Sequence, residues 1–317
     1  MSSTSPSLSL SRTLNPGDSE EFEFVETEFV NDFTDFKFLA ANAHCTVHSA
    51  VECATNKVYA VKTVVCPFRT HPNMYASHVE GGMAKDFTLL GKVKHPHVLE
   101  IIAVYSPPPG MPGDTHLVFE FMPGGTLLEY LLNYAHEQPD NGLQFPEGLH
   151  EIAARDIMFQ LCQALSYIHR LGIVHCNVKP ENILLTGDEM PFIKLAGFGL
   201  AIKGAGNKRD VRGSMDYAAP ELLDHRDYDE HVDSWSAGIT MCNLLLLASP
   251  HVSGHHNAGE PLELEWDTLR ERLSEDGDKF LHALLTEDPK DRWLPDEALR
   301  HNWLFYHRQM YPNVVYK

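Results

Sequence analysis

His175-Cys176-Asn177-Val178-Lys179-Pro180-Glu181-Asn182, followed by Leu195-Ala196-Gly197-Phe198-Gly199, decide how this chain is read. An amide at Asn177 can hold a hydroxyl by hydrogen bonding, yet it has no useful basicity and cannot take a proton from it. Gly197 supplies no side chain at all. Three-residue patterns are weak evidence alone, so the reading rests on further segments in order along the chain. Upstream stand Val58-Tyr59-Ala60-Val61-Lys62, His95-Pro96-His97-Val98 and Glu120-Phe121-Met122-Pro123-Gly124-Gly125-Thr126-Leu127. Downstream stand Tyr217-Ala218-Ala219-Pro220-Glu221, Asp233-Ser234-Trp235-Ser236-Ala237-Gly238 and Asp288-Pro289-Lys290-Asp291-Arg292-Trp293.

This succession resembles the protein kinase superfamily over about residues 33 to 306, in the flavour of the calcium/calmodulin-dependent Ser/Thr group. The family carries HRDxKxxN and DFG where this chain has HCNVKPEN and GFG. The resemblance therefore implies that the proton-accepting Asp is replaced by Asn177 and the magnesium-holding Asp by Gly197. Lys179 and Asn182 are retained, and Asn182 is left as the only side chain at a family metal position, where Mg²⁺ prefers oxygen ligands that usually include a carboxylate. The implied function is a pseudokinase that scaffolds or regulates a signalling partner. Two alternatives stay open: a weak or atypical ATP-dependent Ser/Thr kinase or other transferase, and a nucleotide-sensing switch. No cofactor is required on the first reading; ATP is possible, with Mg²⁺ weak or absent.

The implied fold is α+β and two-lobed: a β-rich small lobe over 33–121, a mainly helical large lobe over 122–308, and a C-terminal tail over 309–317. Any nucleotide would meet Val47, Ala60 and Leu184 around its base, with Phe119 as gatekeeper and Glu120 to Met122 as hinge. Lys62 matches the strand lysine, and Asp86 matches the helix acid that pairs with it, one methylene short of glutamate. Lys62 can equally be a strand lysine with a solvated head, since isolated ion pairs stabilise little. Leu39 to Val47 falls on the phosphate-covering loop but lacks its glycines, and Ala40, Asn42 and Cys45 add bulk there. An ordinary hairpin meets the same pattern. Residues 67–82 read as a long loop. Leu90, Ile101, His175 and Phe198 match the family's packed spine; Asp233 matches its buried aspartate, and Glu221 and Arg292 its structural ion pair.

Ile157, Met158, Leu161, Leu165 and Ile168 recur at helical spacing and predict an amphipathic helix over 153–169. Residues 1–32 read as a disordered Ser-rich and acidic tail, because 1–17 show no apolar periodicity. Within 18–36, acids interleave with Phe22, Phe24, Phe29, Phe33 and Phe36, a strip that suits either a groove or a fraying first strand. A formal net charge of −19 disfavours nucleic acid, which needs clustered Lys and Arg. The apolar stretch from Trp235 to Ala248 is too short to cross a bilayer. Six dispersed cysteines suit the cytoplasm or nucleus. Gly199 to Arg212 contains no Ser, Thr or Tyr, so the usual phosphate switch is excluded; Lys203, Lys208, Arg209 and Arg212 make it either a solvated loop or a contact for acidic groups. Among 19 histidines, His251, His255 and His256 lack a convincing fourth metal ligand.

Overall fold

The structure, a computed structural model, describes residues 8–12, 22–26, 29–41, 45–64, 91, 93–106, 113–137, 147–187, 192–204, 213–247 and 266–305. These fall into two units, one comprising 1–94 with 99–122 and the other 95–98 with 123–317. Residues 95–98 thus join the large unit although they lie within the span expected for the small lobe. The reason is local: Val98 bridges Leu195, and the Leu195 N–H donates to the His97 carbonyl at 2.9 Å.

The small unit is a seven-stranded antiparallel sheet in the order β2-β1-β6-β7-β5-β4-β3. Its strands are β1 Leu8–Arg12, β2 Phe22–Glu26, β3 Phe33–Ala41, β4 Cys45–Glu52, β5 Val58–Val64, β6 Ile101–Ser106 and β7 Thr115–Glu120. β5 and β7 are rich in branched and aromatic residues, which suits a pleated, half-buried surface. One face buries Ala50, Tyr59, Val61, Ala103, Tyr105 and Val118 against Phe29 and Phe33. Phe29 lies on a short helix α1, Phe29–Asp32.

β1, β2 and α1 lie within residues 1–32, the span expected as a tail. Leu8-Ser9-Leu10-Ser11 and Phe22-Glu23-Phe24 alternate with the strand period of two, and β1 finds ladder partners along β6, from Leu8 opposite Ser106 to Ser11 opposite Ala103. An alternation this short is below what periodicity along the chain alone registers, and its ladder partners come from a strand distant in sequence.

The large unit is mainly helical: α2 Leu127–Glu137, α3 Glu151–Arg170, α4 Pro220–Leu223, α5 His231–Leu246, α6 Trp266–Arg272, α7 Glu275–Leu284 and α8 Pro295–Ala298. The helix expected over 153–169 is α3, and Ile157, Met158, Leu161, Leu165 and Ile168 on it are all fully buried. The imidazole of His150 caps its start by accepting the Ile152 N–H at 3.3 Å. Helix α5 is buried from Val232 to Leu245, and the polar side chains Asp233, Ser236, Thr240 and Asn243 along it are hydrogen-bonded within the fold. No helix among the described residues is long and apolar enough to cross a membrane.

Glu221 and Arg292 meet as a two-pronged pair at 2.6 and 3.0 Å, with both side chains almost wholly buried. The guanidinium also donates to the carbonyls of Thr286, His231 and Glu287 and lies 5.0 Å over the Trp235 ring. Every face of this buried charge is therefore matched. Arg292→Ala should cost about 3 to 5 kcal/mol, because it strands a buried carboxylate, and lower the melting temperature by roughly 6 to 20 °C. A melting curve that superimposes on the unaltered protein would show that the pair carries no stability.

Candidate active site

In the small unit, strand register gathers the residues expected around a nucleotide. Val47 pairs with Lys62, Ala60 with Phe119 and Lys62 with Leu117. Directly paired residues share a face of a sheet, so Val47, Ala60, Lys62 and Phe119 occupy one face, opposite the aromatic cluster. Glu120 ends β7, and its carboxylate accepts the Glu100 N–H at 2.8 Å; Met122 just beyond is buried. At the degenerate loop, β3 and β4 remain paired as far as Ala41 and Thr46, with Cys45 buried. Asn42, Asp86, Leu90 and the loop over 67–82 lie outside the described residues, so neither the Lys62–Asp86 pair nor the full spine is located. Ile101 of that spine is buried.

In the large unit, the loop bearing Asn177 hangs from Asp233 on α5. The carboxylate accepts the N–H groups of His175 at 2.7 Å and Cys176 at 2.8 Å, and the Nε2–H of His169 at 2.8 Å. These bonds hold Cys176 at φ 60°, a left-handed conformation that a thiol-bearing residue adopts only under constraint. Sequence spacing carries no signal for His169, which reaches Asp233 only because α3 packs on α5. His175 is fully buried; it accepts the Asn177 N–H on Nδ1 at 3.2 Å and so donates from Nε2 to the Ala196 carbonyl at 2.8 Å. Its ring meets Phe198 edge-on at 4.6 Å, the half of the expected spine found in this unit.

Asn182 closes the loop. Its Nδ2 donates to the Asn177 carbonyl at 2.7 Å, which turns Oδ1 toward Gly197. Gly197 has φ 79° and ψ 38°, and a Cβ placed on it would lie 2.4 Å from both Cγ and Oδ1 of Asn182. The region where a carboxylate would project is occupied by this amide. Lys179 donates to the Ser214 hydroxyl at 2.7 Å and lies 3.3 Å from the Glu181 carboxylate. Leu184 sits on the short strand β8 Ile183–Leu185, bridged to Thr126. Gly213, at φ 87°, brings its Cα so close that a Cβ would lie 2.4 Å from the Cys176 carbonyl. Sequence reading overlooked this contact, although a glycine beside Ser214 was its available signal.

The donor set at Gly197 and Asn182 is a single amide oxygen. It fits Mg²⁺ poorly, since that ion asks for near-octahedral oxygen and usually a carboxylate. Cys176 is buried with its thiol 3.8 Å from the Val174 carbonyl, which makes it an unpromising nucleophile. Lys208, Arg209, Arg212, His251, His255 and His256 lie outside the described residues.

Burial lowers the pKa of His175 and takes those of His95 and His116 to about 4. The folded state then binds fewer protons than the unfolded chain below the ordinary histidine value of about 6.5, so these groups cost stability as pH falls through that value. His231, raised by Asp229, acts in the opposite sense. The melting temperature should fall between pH 7 and 5, and His175→Phe should make that slope shallower. An equal slope in the variant would show that His175 does not contribute to it.

The protein kinase domain family profile matches residues 38–304. Serine/threonine-protein kinase RAD53 of Saccharomyces cerevisiae is 28% identical over 302 residues, covering 86% of this chain and 33% of that protein. Serine/threonine-protein kinase ULK3 of Rattus norvegicus is 30% identical over 276 residues, covering 84% and 53%. A probable myosin light chain kinase of Dictyostelium discoideum is 28% identical over 307 residues, covering 94% and 78%. The chain thus spans about a third of the first of these relatives and about half of the second. The ordered motifs, the Asp233-anchored loop, the Glu221–Arg292 pair and a match over most of the sequence agree: this chain belongs to the protein kinase family.

Proposed function

We propose that the chain is a catalytically inactive kinase-like protein, a scaffold or allosteric regulator of a signalling protein in the cytoplasm or nucleus. The observation that carries this reading is the contact at Gly197. Phosphoryl transfer depends mainly on positioning and charge neutralisation, and here the metal-holding carboxylate is missing while Asn182 fills its place. Loss of the base at Asn177 removes a further 10² to 10⁴ or so in rate. The groups that assemble the loop are kept, so the architecture stands without the acids that phosphoryl transfer uses. One observation favours a second reading, a weak or atypical ATP-dependent transferase: Lys179 is still held against Ser214, where it could meet a transferred phosphate.

Purified protein with Mg·ATP and generic acceptor proteins should show no phosphotransfer above background. Asn177→Asp with Gly197→Asp should recover little, because Asn182 must vacate its position and the glycine-free loop over 39–47 still lacks a phosphate cradle. Robust wild-type transfer that Lys62→Ala abolishes would sink the inactive reading.

Nucleotide, if it binds, should do so through its base and almost independently of metal. With a dissociation constant near ~1 mM and a few mM ATP, binding adds only about 1 kcal/mol, or roughly 2 to 4 °C in melting temperature. The measurement is thermal shift with ATP, ATP plus EDTA and ATP plus Mg²⁺. A large shift that needs Mg²⁺ and disappears in Lys62→Ala would favour the transferase or a nucleotide switch.

A further inference from the structure

Helix α3 ends beside a group of nitrogen donors that neither the anchoring of the loop nor the reading above uses. Residues 95–98 belong to the large unit, and His97 ties them to the short strand β9, Ile193–Leu195. Its Nδ1 donates to the Ile193 carbonyl at 3.0 Å, and its own carbonyl accepts the Leu195 N–H at 2.9 Å. His95 stacks on Tyr167 of α3 with ring centres 4.9 Å apart. Tyr167 and Arg170, three residues apart on the helix, share a face. Lys194 stands between the two β9 residues that bond to His97. We propose that His95, Arg170 and Lys194 form a docking site for an acidic, Asp- and Glu-rich segment of a partner protein.

Three observations point to carboxylates as the occupant. First, His95 accepts the His97 N–H on Nδ1 at 3.2 Å, so the ring proton sits on Nε2. That N–H has no acceptor among the described residues. Second, Arg170 is exposed but held in place. Its Nε donates to the Ser166 carbonyl and its Nη2 to the Ser166 hydroxyl, each at 3.2 Å, and nothing among the described residues accepts from Nη1. A guanidinium fixed in this way loses little freedom when it binds. The acid next in this chain of bonds, Asp296, is already engaged by the Ser166 hydroxyl at 3.2 Å and by Arg300. Third, the two charges that act on His95 are both positive. Burial first, and then Arg170 and Lys194, take its pKa to about 4, so the ring is neutral near pH 7; the nearby His97 ring, 5.7 Å away, brings no negative charge.

An anion at this place is attracted by both cations and gives the Nε2–H an acceptor. The formal net charge of −19 makes such a basic spot an exception on this chain, and it is too small for nucleic acid, which needs an extended basic surface. The cations come from two elements, α3 and β9. That suits an occupant whose charges are spread along a chain better than one whose charge is gathered on a single phosphate. The inference rests on the scaffold reading only for the use made of a docked partner. Docking is independent of phosphoryl transfer, which the Mg·ATP assay tests by itself.

The test uses the full chain and a short fluorescent peptide of alternating Glu and Gly. The peptide should bind at low salt despite the chain's overall negative charge, and bind more weakly as salt is added. Arg170→Ala and Lys194→Ala should each weaken it about tenfold. Lys279→Ala should leave affinity unchanged, since that cation is on α7 and already paired with Glu275. The same peptide with Gln in place of Glu should not bind. At neutral pH the ring resonances of His95, identified by their loss in His95→Gln, should move when the Glu peptide is added and stay still with the Gln peptide. Melting curves check that the variants fold; should Arg170→Ala fold poorly for want of its Ser166 bonds, Lys194→Ala decides. No binding by the Glu peptide, equal affinity in Lys194→Ala and the unaltered chain, equal binding by the Gln peptide, or binding only by a Ser-Gly peptide carrying one phosphoserine would overturn the proposal.

Discussion

The carboxylate of Asp233 organises the large unit. It lies on a buried helix with no solvent to satisfy it, and it finds two backbone N–H groups and one imidazole at 2.7 to 2.8 Å. A buried carboxylate left without such donors is among the costliest groups a fold can contain. The loop from His175 to Asn182 is therefore held in one conformation by a residue far away in sequence. From that anchor follow the left-handed Cys176, the neutral His175 reaching Ala196, and the close approach of Gly213. The Glu221–Arg292 pair performs the same task for the segment beyond.

These anchoring groups are separable from the groups that would do chemistry. Asp233, Glu221, Arg292 and His175 are spent on backbone amides, carbonyls and one another. Asn177 and Gly197 stand at the two positions that would face substrate and metal, and neither substitution disturbs the anchors. Asn177 still offers its backbone to His175 and Asn182, and Gly197 adopts a φ that glycine takes without strain. The atoms that hold the loop in place are thus different from the atoms that phosphoryl transfer would use.

The small unit shows how far local reading reaches. Val58-Tyr59-Ala60-Val61-Lys62 was legible as a strand by its resemblance to the family motif, and the placement of Val47, Ala60, Lys62 and Phe119 on one face follows once register is known. Register itself is a pairing between distant segments. The N-terminal segment marks the limit: its Ser-rich composition argued for disorder, and its alternating Leu, Ser, Phe and Glu acquire meaning only beside the edge of β6.

Legible in the residues alone were the family, the two-part α+β architecture, a helix over 153–169 and the departures at Asn177 and Gly197. Each is carried by contiguous residues, whose order and spacing are local properties. The folded chain alone reveals that Asn182 fills the region beside Gly197, that His169 shares the burden of Asp233, that Phe29 stacks on His116, and that β1 pairs with β6. All four are contacts between segments distant in the chain. They are fixed by the burial of polar groups and the pairing of edges, and those depend on which surfaces folding brings together.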